Sequence, residues 1–167
     1  MKKLGLLSIL LLLVCAIHAQ TEYSVSTPTM EQKFNVAKMH LNNYILAQIA
    51  VAKEAGMTPA EIGKEMGEVF SLAWDDNGGY EPYVSFILYG WSCLADGVQI
   101  IEQSDEKLVV LISSLYPLVE DEGAFLGASV EDFTVYMNAM LNAIAVHYGQ
   151  SQEMTRGEEG YKIVITL

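Results

Sequence analysis

The sequence predicts an α+β fold in the order helix, helix, helix, strand, strand, helix, strand, with a small antiparallel sheet packed on the helices. Three observations predict it. Apolar residues recur at helical spacing from Met30 to about Ala95. Beyond Gly97 the period shortens into two β-branched runs, VQIIEQ and KLVVLIS, on either side of SDE. The helical period then returns once, and the chain closes on YKIVITL, which alternates residue by residue.

Ahead of these elements, MKKLGLLSILLLLVCAIHAQ has the layout of an export signal. Lys2 and Lys3 form the basic start, Leu4 to Ile17 the apolar stretch, and Ile17-His18-Ala19 a cleavage motif before Gln20. The apolar run falls short of the ~20 residues a spanning helix needs. The expected product is therefore a periplasmic or secreted protein without a transmembrane segment after cleavage. A lipid anchor on Cys15 ranks second, because Leu13 and Val14 are bulky for that motif. The expected organisation is a signal over 1–19, a flexible leader over 20–29 and one domain over 30–167.

The first helix is expected over Met30 to Ala55, with Phe34, Ala37, Leu41, Ile45 and Ala52 facing inward and Gln48 interrupting the stripe. Gly56 suits the left-handed residue that closes it. Thr58, Pro59 and Glu61 open the second helix with a capping box. Its inward stripe reads Ile62, Met66, Val69 and Ala73. Gly63 and Gly67 lie one turn apart on the flank, at a helical cost of about 1 kcal/mol each against alanine. A neighbouring backbone at close range would account for them, as would tolerated surface positions. WDDNGG fails the calcium-loop template, because counting from Asp75 puts Tyr80 at position six and Phe86 at position twelve. It reads as a turn between helices.

The third helix, Pro82 to about Ala95, is apolar over most of its circumference, as central helices are. Ser85, Tyr89, Ser92 and Asp96 draw one narrow polar stripe along it. KLVVLIS is apolar at almost every position, which suits a strand covered on both faces. YPLVEDEGAFLGA reads as a connection and SQEMTRGEEG as a polar loop. Ser129 and Asp132 cap the last helix. There Phe133, Met137, Met140, Ile144 and His147 share one face, with Thr134, Asn138 and Asn142 on the adjoining one. In the closing strand Tyr161, Ile163, Ile165 and Leu167 point one way, and Lys162, Val164 and Thr166 the other.

The 167-residue chain carries 21 acidic and 9 basic residues, a net charge of −12 that loss of Lys2 and Lys3 deepens. Such a surface repels phosphate backbones, which excludes nucleic acid as a partner. Cys93 is the lone cysteine beyond the signal, so no intrachain disulfide is available and stability rests on the core.

Nucleophilic catalysis would need a thiol or hydroxyl with a base beside it. Cys93 sits mid-helix among aromatics, with no adjacent basic residue. No G-x-S-x-G or G-x-x-x-x-G-K occurs. His40 lies on a flank of the first helix; His147 suits a helix C-terminus, where an imidazole meets free carbonyls. His40, Cys93 and His147 have the chemistry of zinc ligands, but each stands alone on its own helix. No metal and no cofactor are expected.

The GMTPAEIGKEMGEVF…W block, the EQSDEKLVV hairpin and the final helix with its G-x-x-G-strand tail resemble small bacterial α+β domains. These are the ligand-binding and thiazoline-carboxylate-hydrolase-like domains related to the vinyl-reductase-type fold. The resemblance covers most of the chain in element order and implies ligand binding or hydrolysis. Those domains tend to carry cysteines near the hairpin or tail; this chain has none there, and no catalytic residue carries over.

Three functional readings stand at this level. In the first, an exported non-enzymatic module binds a small, mostly apolar ligand beside Ser85, Tyr89, Ser92 and Asp96, with Cys93 and His147 as further candidates. In the second, a hydrolase uses Cys93 or a histidine. In the third, a homodimer forms through the second face of the sheet, left apolar by Val109, Leu111 and Val164.

Overall fold

The computed structural model describes residues 27–73 and 80–166. The expected signal, most of the leader, the WDDNGG turn and Leu167 lie outside the described residues. The chain divides into two units at Lys33/Phe34. Residues 27–33 belong to the first, where Thr29 and Gln32 exchange capping bonds: Gln32 N–H donates to Thr29 Oγ1 at 3.2 Å and Thr29 N–H to Gln32 Oε1 at 2.9 Å. The second unit carries the sheet and its core.

Helices α1 (Met30–Glu54), α2 (Pro59–Ser71) and α3 (Tyr80–Leu94) precede strands β1 (Val98–Gln103) and β2 (Lys107–Ile112). A short helix α4 (Pro117–Glu122) and the two-residue strands β3 (Ala124–Phe125) and β4 (Ala128–Ser129) lead into α5 (Val130–His147). Strands β5 (Ser151–Gly157) and β6 (Gly160–Thr166) close the chain. The main sheet is antiparallel throughout, in the order β1-β2-β6-β5. The α+β class is thus as the periodicities predict.

Helix ends form where the sequence places their caps. Gly56 ends α1 at φ 85°, and the amides of Gly56 and Met57 reach back to the carbonyls of Lys53 and Ala52. Thr58 and Glu61 form the reciprocal capping box of α2. Ser129 and Asp132 do the same for α5. Asp132 also takes Lys53 Nζ at 2.6 Å, joining the end of α1 to the start of α5. Burial pushes the Asp132 carboxyl up, but the bonds from Lys53 and Ser129 outweigh it and hold the group below its ordinary value.

One face of the sheet and the helices enclose a single core. Leu108, Val110 and Ile112 of β2 and Tyr161, Ile163 and Ile165 of β6 supply the sheet side. Leu46, Ile49, Tyr83, Trp91, Phe133 and Ile144 face them from the helices. α2 and α5 pack backbone against backbone. A Cβ on Gly63 would overlap the Tyr136 carbonyl, 3.1 Å from its carbon; one on Gly67 would overlap the Met140 carbonyl and stand 2.7 Å from Ala143 Cβ. Of the two explanations for this glycine pair, the close backbone is the one observed.

The polar segment SQEMTRG is a strand, not a loop. Met154 is its one apolar side chain, yet Gln152 and Met154 alternate inward while Ser151, Glu153 and Thr155 face out. As the border of the sheet, β5 would leave alternate amides unpaired. Two α5 asparagines take them: Met154 N–H donates to Asn138 Oδ1 at 2.7 Å, and Gln152 N–H to Asn142 Oδ1 at 3.1 Å. Four helical residues rise about 6 Å and two strand residues advance about 7 Å, so the spacings match. Replacing Asn138 and Asn142 together by alanine should cost about 2–3 kcal/mol. It should also speed hydrogen exchange at the Gln152 and Met154 amides; unchanged exchange there would show that the asparagines do not hold the border.

Several sequence expectations are corrected. The connection YPLVEDEGAFLGA contains α4 and the β3–β4 hairpin. Its turn places Leu126 at φ 52° and Gly127 at φ 83°, both positive as a two-residue hairpin needs; a leucine there costs about 1–2 kcal/mol. The buried stripe of α1 is Asn42, Leu46, Ile49 and Ala52, so Phe34 and Leu41 stand exposed. On α2 the buried residues are Gly63, Gly67 and Ser71, while Val69 and Ala73 face solvent. On α2 the apolar stripe lies beside the packed one because close approach to α5 selects small residues. α3 is not central. It buries Tyr83, Ile87 and Trp91, one row at steps of four, and exposes Phe86 and Tyr89. The second sheet face is no exposed apolar patch. Val109 is 2% accessible, and Leu111 and Val164 are half-buried, beside the Lys107–Glu102 ion pair at 3.0 Å.

Glu120 of α4 ties the end of β2 to the core. Its Oε1 accepts from Leu115 N–H at 3.0 Å, Tyr116 N–H at 2.9 Å and Tyr161 O–H at 2.9 Å, and its Oε2 from Ser114 O–H at 2.6 Å. Burial raises the carboxyl, but these donors reverse that and hold it below its ordinary value.

Candidate functional site

The polar stripe of α3 faces solvent. Ser85, Tyr89 and Ser92 lie on its outer side, Tyr89 at 70% exposure, and Asp96 is exposed in the bend just past its end. Ser92 O–H donates to the Leu88 carbonyl of its own helix at 2.8 Å, and Asp96 pairs with Lys38 at 3.5 Å. Of the four, Ser85 borders a hollow, a polar one of about 680 Å³ shared with Glu81, Ser104 and Asp105. Ser85, Tyr89 and Ser92 share a helical face, but the register does not say which face; the row Tyr83, Ile87, Trp91 takes the core.

His147 is exposed rather than inward, and its ring lies edge-on to Tyr148 at 5.1 Å. It sits at the last position of α5, beyond the reach of the sheet-facing row that ends at Ile144. His40 is exposed and Cys93 half-buried. The structure does not bring them together: among the described residues no three His, Cys, Asp or Glu side chains are grouped to hold a metal.

A largely apolar concave feature lies on the other flank of α3. A groove of about 690 Å³ runs between α1, α2 and α5, walled by Leu41, Ile45, Val51, Met66, Phe70 and Met140. A smaller hollow of about 270 Å³, walled by Phe86, Gly90, Trp91 and Ile144, adjoins it. The two share Phe70, Leu94, Met137 and Met140, so they form one apolar track. Its outer lip is apolar as well: Tyr44, Val51 and Phe86 are all more than half exposed.

Among the described residues no charged side chain lines either part of the track. Beside the exposed Tyr44 hydroxyl, a hydrogen-bonded polar pair does. Tyr136 O–H donates to Gln48 Oε1 at 3.0 Å, and Gln48 Nε2 meets the Met66 thioether sulfur at 3.2 Å. Burial pushes the Tyr136 hydroxyl up to about 12, so it stays protonated and fixes the amide. Deeper in the wall, Trp91 Nε1–H is enclosed without an acceptor among the described residues.

Gln48 interrupts the apolar stripe of α1, and that interruption is the signal for this site that the sequence contains. The groove itself is not legible there. Met66, Met137 and Met140 read as core positions, and nothing in their spacing shows that the opposing helix stands far enough away to leave a gap. Comparison with known proteins finds no matching family model and no matching curated protein.

Proposed function

We propose that this protein is an exported, non-enzymatic module that binds a small, mostly apolar molecule in the groove between α1, α2 and α5. The observation that supports this reading is the groove itself. Its volume of about 690 Å³ falls within the ~300–1,000 Å³ of small-molecule sites, and its walls are aliphatic, aromatic and thioether. Three methionines line it, side chains that reshape around differing guests. Export rests on Lys2, Lys3 and the apolar stretch Leu4 to Ile17, with a mature chain starting at Gln20.

Ala47 faces the groove and is half-buried. Ala47→Trp should fill the space and abolish uptake of a neutral solvatochromic dye such as Nile red. Stability should change by less than about 1 kcal/mol, since no packed side chain is displaced. Tyr89→Phe and Asp96→Ala, on the solvent face of α3, should leave dye binding unchanged. Dye that binds the Ala47→Trp protein as well as the native one removes the groove as the site.

A further inference from the structure

Resting on the groove reading, we infer that the natural ligand is uncharged and carries a hydrogen-bond acceptor, an aliphatic ketone, ester or amide, whose carbonyl oxygen pairs with Gln48 Nε2. The groove offers one thing and lacks another. Gln48 Oε1 is already occupied by the Tyr136 hydroxyl at 3.0 Å. Its Nε2 carries two protons, and the partner it has, Met66 Sδ at 3.2 Å, is a weak acceptor. A carbonyl oxygen is a far better one and would take over either proton. The less satisfied end of the amide is therefore its donor: Nε2 has a thioether for a partner, whereas Oε1 already holds a hydroxyl on one of its two lone pairs.

Charge is excluded from the guest by the same walls. Among the described residues no lysine or arginine lines the track to pair a carboxylate, and no aspartate or glutamate to pair an ammonium. An ion buried there would lose its hydration without compensation. The net charge of −12 adds long-range repulsion against anions. The smaller hollow continues the groove past Leu94 toward Trp91, which gives room for an aliphatic tail rather than a compact ring.

The test is displacement of Nile red from the full-length mature protein by 2-undecanone, undecane and decanoate, three compounds of similar chain length. The ketone should displace the dye at about fivefold lower concentration than the alkane, the contribution of one neutral hydrogen bond. Decanoate should be the weakest of the three. Gln48→Leu alone would free the Tyr136 hydroxyl to serve as a substitute donor. In Gln48→Leu combined with Tyr136→Phe, which removes both groups, the ketone's advantage should vanish while the dye still binds. Equal displacement by ketone and alkane in the native protein overturns the polar anchor and leaves the groove reading standing. Decanoate as the strongest competitor overturns the uncharged ligand. No dye binding at all, or dye exclusion with a doubled mass by light scattering, overturns both, the latter by showing a second copy in the groove.

Discussion

Gly63→Ala and Gly67→Ala are each expected to destabilise the protein by about 2–3 kcal/mol, although alanine is the better helix former. On propensity alone each change should stabilise by about 1 kcal/mol. The packing reverses the sign. At both positions the new methyl group falls on a backbone carbonyl of α5, at Tyr136 and at Met140, and backbone cannot rotate out of the way as a side chain can. α2 must lift off α5, and every contact along the pair loosens with it. Gly90 on α3 supplies the control: no described residue lies within 4 Å of its added Cβ. Gly90→Ala should therefore gain about 0.5–1 kcal/mol. Urea melts followed by circular dichroism read all three. A rise in stability for either α2 variant would mean that the two helices do not touch as described. The combined variant should remove about 4–6 kcal/mol, a large share of the roughly 5–15 kcal/mol that holds a typical domain folded.

Removing the Glu120 carboxylate should be comparably severe. Glu120→Ala leaves the Leu115 and Tyr116 amides, the Ser114 hydroxyl and the Tyr161 hydroxyl without their acceptor. Each buried donor left unpaired costs about 1–3 kcal/mol, and we expect a loss of about 3–4 kcal/mol after partial rescue by water. Glu120→Gln keeps an oxygen for the two amides and should cost about half as much. The pH dependence comes from the lowered carboxyl. The folded state favours the ionised form, so the stabilisation is full above the unfolded value of 4.5 and drains away as the pH falls through the lower folded one. Stability should thus fall in acid below about pH 4.5, and Glu120→Gln should show a shallower fall over that window. Parallel acid profiles for the two proteins would assign the acid loss to other carboxylates, Asp132 first among them.

The sequence carries the elements and their ends more plainly than their faces. TPAE and SVED form capping boxes because those bonds are local, made within three residues of the chain. Gly56 closes its helix for the same reason. Faces are another matter. On α1 the expected row is exposed at Phe34, Ala37 and Leu41, half-buried at Ile45 and buried at Ala52, while Leu46 and Ile49 beside it are buried. On α3 the aliphatic and aromatic residues nearly encircle the helix, so the wheel has no contrast from which to choose a side. SQEMTRG hides its strand because half of what holds it in place, the pair Asn138 and Asn142, lies on another element. The groove is the extreme case. A gap between helices is a property of their separation, and no residue from Leu41 to Met140 states that distance.

The unequal treatment of the sheet's two margins has a consequence for self-assembly. β5 is sealed by the α5 amides, whereas β1 is accessible at five of its six positions and lies at the opposite end of the strand order. A molecule that can be extended along one side only cannot polymerise by strand addition: joining two copies through β1 consumes both available templates and stops. Strand addition at β1 thus stops at two copies while Asn138 and Asn142 hold the β5 amides, a barrier to fibril growth that acts beside surface charge.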